Sequence, residues 1–176
     1  MVKVEPVLGD PTAHLRALAH PLRLRILSLL TAVPMSAAEL ARELDETHAN
    51  ASYHLRTLAA AGLVDLAEER AVRGGRERRY RTAQPVSPPP GPPAPDAGQQ
   101  WLTALTTELS RRWPSSDPQA PKIQVDAELW VEPEVWEQAL SGVRAAMDLL
   151  HQRARPPRSP GTVQTSTTLS AFRMRP

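Results

Sequence analysis

Apolar residues between positions 22 and 33 return at steps of three and four: Leu22, Ile26, Leu29 and Val33, with Leu24, Leu27 and Leu30 on the flank. That period predicts a helix apolar on most sides, hence a buried one. Pro34 ends it, because proline cannot donate to the helical ladder. Upstream, Asp10-Pro11 places a capping carboxylate before a first-turn proline and opens a helix to about Ala19; His20-Pro21 restarts the chain. Ser36-Ala-Ala-Glu39 has capping-box spacing and starts a short helix to about Glu43. After a Leu44-Asp45-Glu46 turn, Thr47 caps a further helix over HANASYHLRTLAAAG, closed by Gly62 at C′. Leu55 and Leu58 face inward on it, with Ala51 and Ala59 beside them. The pattern then becomes strand-like at 63–66 and 78–81, with Arg73-Gly74-Gly75-Arg76 as the hairpin turn between them.

The second half has its own pattern. Residues 85–98, PVSPPPGPPAPDAG, hold seven prolines in fourteen residues and read as a semi-rigid spacer unable to join a helix interior. Beyond it, Leu102, Leu105 and Leu109 predict a helix over 99–113. Residues 123–131 alternate, with Ile123, Val125, Ala127, Leu129 and Val131 on one face and Trp130 on the other; Val163, Thr165, Thr167, Leu169 and Ala171 alternate likewise. Between these expected strands, Pro133 starts a long helix to about Arg155. Its apolar positions Trp136, Leu140, Val143, Met147 and Leu150 step by 4, 3, 4 and 3, a heptad-like seam. The expected fold is mainly α with small β (α+β). A winged helix-turn-helix over 10–84 and a spacer over 85–98 precede a helix-strand-helix-strand module over 99–176 that serves dimerisation and is a place for an effector.

Composition narrows the classes. Cysteine is absent, which excludes disulfides and thiolate metal sites. No apolar run approaches the ~20 residues of a membrane span, and MVKVEPVLGD lacks a signal-peptide stretch, so a cytoplasmic protein without membrane contact is expected. Arg-over-Lys, Ala-rich and Pro-rich usage points to a bacterium of high genomic GC content. The net charge is only +2, but residues 70–81 carry six Arg (70, 73, 76, 78, 79 and 81) against Glu77 alone, a local +5. Such a hairpin suits phosphate neutralisation. Alternate strand residues face opposite ways, which favours Arg73, Arg76 and Arg78 as contacts. Thr47, His48, Asn50, Ser52, Tyr53 and His54 crowd the start of the 48–61 helix, with Arg56 further along. Asn can pair with adenine, His and Tyr reach bases or phosphates, and hydroxyls suit phosphate oxygens. His54 serves equally well as a structural hydrogen-bonding residue.

Residues 15–33, LRALAHPLRLRILSLLTAV, resemble the opening of the ArsR-type regulators, and 52–64, SYHLRTLAAAGLV, resemble that family's recognition helix and its exit into the wing. Ser52, His54, Leu55, Leu58, Ala61, Gly62, Leu63 and Val64 carry the second match. The family often has Gly in the helix-helix turn where this chain has Asp45, a residue that tolerates the left-handed conformation. The resemblance covers about 10–84, and its implication is a sequence-specific transcription regulator, by family habit a repressor, binding double-stranded DNA as a homodimer. The long seam of Trp136, Leu140, Val143, Met147 and Leu150, together with the first helix, is the expected dimer contact. The alternative is a winged-helix interaction module that does not read DNA.

All four tryptophans (Trp101, Trp113, Trp130 and Trp136) lie in the second half. They suit a core or dimer interface, or else a pocket for an unknown small-molecule effector. Asp148 and His151 stand three apart on the long helix, but two ligands do not make a site, so no metal or other cofactor is expected. No nucleophile-base pair or phosphate loop stands out, and an enzyme is not expected.

Overall fold

Four helix starts are written as caps, and each cap forms. The computed structural model describes residues 10–72, 75–83 and 91–174; Arg73, Gly74 and the 85–90 part of the expected spacer lie outside them. Helix α1 (Pro11–Leu18) begins where the Asp10 carboxylate accepts the Thr12 N–H at 2.9 Å. Helix α2 (Pro21–Ala32) is capped by an imidazole, His20 Nδ1 accepting the Leu22 N–H at 3.1 Å. Strand β1 (Met35–Ser36) leads into α3 (Ala37–Leu44) through a complete capping box: Glu39 N–H to Ser36 Oγ, 3.4 Å, and Ser36 N–H to Glu39 Oε2, 2.7 Å. Helix α4 (His48–Ala60) takes Thr47 as its cap, whose Oγ1 accepts the Asn50 N–H at 3.1 Å. It ends in a Schellman motif, with Gly62 at φ +68° and the Leu63 N–H reaching the Leu58 carbonyl at 2.9 Å.

These helices close on one core. Ile26 and Leu30 of α2, Leu40 of α3, and Leu55 and Leu58 of α4 are fully buried, with Leu63 just beyond. On α2 the buried set is Leu22, Ile26 and Leu30, a pure i+4 row, while Leu29 and Val33 are only half-buried. Ala59, expected beside the inward leucines of α4, is exposed.

Strands β2 (Val64–Val72) and β3 (Gly75–Thr82) form a longer antiparallel hairpin than the sequence pattern predicts, with an irregularity between Leu66 and Glu68. Strand β1 pairs with β3 (Met35↔Tyr80, Ser36↔Arg79), so the sheet order is β1-β3-β2. A two-residue strand that follows a proline and ends on the helix cap Ser36 itself carries no readable alternation, which is why the sequence pattern misses β1.

The second half departs more. Helix α5 (Pro95–Arg112) begins inside the stretch expected to be spacer, because Pro95 occupies the first turn, where no N–H is needed. It lies on α1 and α2. The Ala94 N–H reaches Thr12 Oγ1 at 2.9 Å, and Arg16 pairs with Asp96 at 3.1 Å. The buried face of α5 is Ala97, Ala104 and Glu108; Leu102 and Leu109 point to solvent. Small side chains let the helix approach α1 closely. A short 3-10 turn (Trp113–Ser115) follows. Helix α6 (Pro133–Arg153) touches α2 and has no fully buried residue. The strands expected at 123–131 and 162–172 do not form: neither segment pairs with anything among the described residues. A strand exists only through a partner strand's N–H and C=O groups, and none of the described residues forms a strand beside these segments.

Candidate nucleic-acid interface

The α3–α4 corner turns at Asp45, whose φ of 56° and ψ of 51° put it in the left-handed region that a glycine would take more freely. The corner leaves one side of α4 uncovered. Along that side run His48, Ala49, half-buried Ser52, Tyr53 and Arg56, steps of one, three, one and three that trace a single helical face. Tyr53 is 55% exposed. Ala49 carries no polar group, so the sequence pattern does not mark it. Its methyl is a fit for the thymine methyl in a major groove.

Three expected contacts lie off this face. Thr47 is the N-cap of α4, its Oγ1 accepting the Asn50 N–H. Asn50 is half-buried, and its Nδ2 donates to Glu46 Oε2 at 2.8 Å, which engages the amide that would read adenine. His54 is only 4% exposed and faces α2, not solvent. Its ring stands 4.5 Å from that of His20, with Tyr53 edge-on at 5.1 Å. The expected DNA contact at His54 is therefore corrected to a core position: a polar residue at the start of a recognition helix still follows the 3.6 period, and position 54 falls with Ala51, Leu55 and Leu58 on the buried side.

This junction favours neutral imidazoles. Burial, then the charges of His20 and Arg23, lower the His54 pKa, and Glu46 opposes them. Burial and Arg23 likewise lower that of His20. Burial alone lowers that of His14 on α1. His54 Nδ1 is buried with no hydrogen-bond partner, so the ring holds α4 against α2 by packing. The Arg23 guanidinium donates to the carbonyls of Ala17 and Arg16, closing the end of α1 over the same junction. The uncovered face of α4 thus stands opposite a packed junction of α1, α2 and α4.

The hairpin changes the electrostatic reading most. Pairing sets Glu69 opposite Arg78, Glu68 opposite Arg79 and Arg70 opposite Glu77. Glu69 Oε1 lies 3.2 Å from Arg76 Nε and 3.1 Å from Arg78 Nε, and Glu68 pairs with Arg70 at 2.9 Å. Hydrogen bonding to Glu69 raises the Arg78 pKa. Arg79 is structural: its guanidinium reaches the Pro34 carbonyl (2.6 Å) and Glu39 (3.1 Å), and its Nε sits 3.2 Å from Glu68 but off-line for a hydrogen bond. Counting Glu68 and Glu69 lowers the local excess from +5 over 70–81 to +3 over 68–81, and strand register sets both carboxylates beside the wing arginines. Arg76, Arg78 and Arg81 remain exposed. Exposed ion pairs of this kind are weak and exchange readily for phosphate.

Three helices with this corner, followed by a two-stranded wing, make a winged helix-turn-helix. Residues 18–67 match the helix-turn-helix domain family. Among solved structures, a fragment spanning residues 1–100 of a possible transcriptional regulatory protein from Mycobacterium bovis is 28% identical, the match covering 57% of this chain and 91% of that one, with a TM-score of 0.35. That score is too low for the likeness to bear on the fold. No curated protein matched the sequence. In the helix-turn-helix frame α3 is the second helix and α4 the third, whose outer side is left uncovered. Among the described residues no three His, Asp or Glu gather as a metal set, and no helix is long and apolar enough to cross a membrane.

Of the expected dimer seam on α6, Trp136, Leu140, Val143 and Met147 are half-buried, and Leu150 is exposed. Helix α1, the other expected contact, is covered in its own chain by α5. Trp113 and Trp130 are exposed, and Trp101 and Trp136 half-buried.

Proposed function

We propose that the chain is a sequence-specific, double-stranded-DNA-binding transcription regulator that acts as a homodimer, and a repressor by the habit of the ArsR-type regulators it resembles. The observation that carries this reading is the uncovered face of α4: His48, Ala49, Ser52, Tyr53 and Arg56, mounted on a sealed core beside a wing that carries exposed Arg76 and Arg78. A helix of that size fits the major groove, and these side chains reach base edges and phosphates. Arg73 belongs to the same wing by sequence. The dimer reading draws on the α6 seam and on exposed Leu102, Leu109 and Trp113 of α5 and its end, a second apolar row. Two copies would present two α4 helices about one DNA turn, roughly 34 Å, apart.

Selection of bound duplexes from a random pool tests the reading. Enrichment of a two-fold-symmetric site is the expected result, and a reporter carrying that site should be silenced by the protein. A pool that stays random would reject DNA reading. The interaction-module alternative draws on one observation, the pairing of Glu68 and Glu69 with the wing arginines; it is favoured only if no site is enriched.

A further inference from the structure

Two segments of the chain lie in no helix or strand and carry exposed apolar side chains. In 123–131, Ile123 is 93% exposed, Val125 84%, Leu129 76% and Trp130 94%. In the tail, Val163 is 84% and Phe172 71% exposed. Both segments alternate with the two-residue period of a strand, and neither has a strand partner among the described residues. The opposite face of the first segment carries Gln124, Asp126, Glu128 and Trp130, so one face is apolar throughout and the other mostly polar. A strand of that kind covers its apolar face by packing, and its unpaired edge is a template for a neighbouring strand.

We propose that residues 123–131 of one copy pair as a β-strand with residues 162–172 of a second copy, closing the homodimer by reciprocal strand exchange. The inference rests on the dimeric reading above and specifies how the dimer is built. The tail is tied to its own chain at two points, Arg158 to Glu43 at 2.6 Å and Arg112 to Thr168 Oγ1 at 3.1 Å. These ties hold it along α3 and the end of α5 with its apolar side chains outward. A second copy satisfies both segments at once, because each chain contributes one of each, and a two-fold axis makes both pairings identical. The exposed apolar side chains offer on the order of 1,000 Å² per chain, against about 800 Å² for each partner of a standard stable interface.

Charge selects the pairing. If 123–131 met its own copy antiparallel about Ala127, Asp126 of one chain would face Glu128 of the other, like charges directly opposite. Residues 162–172 carry no charge at all. The tail is therefore the complementary strand, and α6, which joins the two segments, continues the same interface.

The chain has no cysteine, which makes cross-linking specific. Ala127→Cys and Thr167→Cys place a thiol near the middle of each segment, so the two meet whichever way the strands run. The two single variants, co-expressed and mildly oxidised, should give a reducible band of two chains, while each variant alone gives none. The chain with both substitutions should form covalent dimers and not internally linked monomers. In the wild type, amides of 123–131 and 162–172 should exchange slowly with deuterium at high concentration and quickly on dilution. A protein that sediments as a dimer but links 127 only to 127, links within one chain, or fails to link overturns the exchange and leaves the dimer standing. A wild type that sediments as a monomer at micromolar concentration overturns both. DNA reading is judged separately, by the selection above.

Discussion

Glu69 lies in the wing against both Arg76 and Arg78, at 3.2 and 3.1 Å, and its side chain is 22% exposed while theirs are largely open. If the wing meets DNA, each arginine must leave this carboxylate before it reaches a phosphate. Glu69→Gln removes the competitor and one negative charge that faces the duplex. Surface pairs of this geometry are weak, so the gain is modest: binding to any duplex should tighten by about two- to tenfold at low salt. The contrasting variant, Arg76→Ala with Arg78→Ala, removes two cations. It should weaken binding to operator and random DNA alike and flatten log K against log salt by about 1.8, at ~0.9 per lost phosphate contact. Fluorescence anisotropy with one labelled duplex, titrated at four or five salt concentrations, reads both effects. Neither change touches the buried core, so thermal unfolding should barely move. Weaker binding by Glu69→Gln, or an unchanged salt slope in the double alanine variant, would refute the wing as a phosphate contact.

Other expectations follow from burial. Tyr53→Ala, on the open face of α4, should cut the operator-to-random affinity ratio by about tenfold, the scale of one lost base contact, as measured by competition binding. Leu58→Ala should cost about 2–5 kcal/mol of folding stability, whereas Ala59→Ser, one residue further and exposed, should stay within about 0.5 kcal/mol in denaturant titrations. His14, His20 and His54 all have folded pKa values below 6.5, so the folded chain binds fewer protons than the unfolded one in that range. Their contribution is fully present above about pH 6.5 and is lost as pH falls through their lowered values; urea midpoints should drop between pH 7.5 and 5.5, and His54→Gln should reduce that slope. Val143→Glu with Met147→Glu should shift the sedimenting species from dimer to monomer, and a folded variant that stays dimeric would remove α6 from the interface.

Local chemistry was sufficient for much of the first half. Asp10, Ser36, Thr47 and Gly62 act within three or four residues of themselves, so their capping roles can be read from spacing alone. Spacing gave the α2 helix but not its buried row, which is Leu22, Ile26 and Leu30, with Leu29 and Val33 half-buried. What spacing could not decide was which neighbour a side chain meets across the fold. His54 reads as a groove residue until α2 is packed beside it and His20 stands 4.5 Å away. The wing reads as strongly basic until strand register brings Glu68 and Glu69 alongside its arginines. The second half shows the deeper limit. A capping box is complete within one segment, but a strand is a relation between two, and 123–131 and 162–172 have the alternation without a strand partner among the described residues. Hydrogen-bonded pairing and apolar burial are set by what lies alongside in space, which tertiary structure alone supplies.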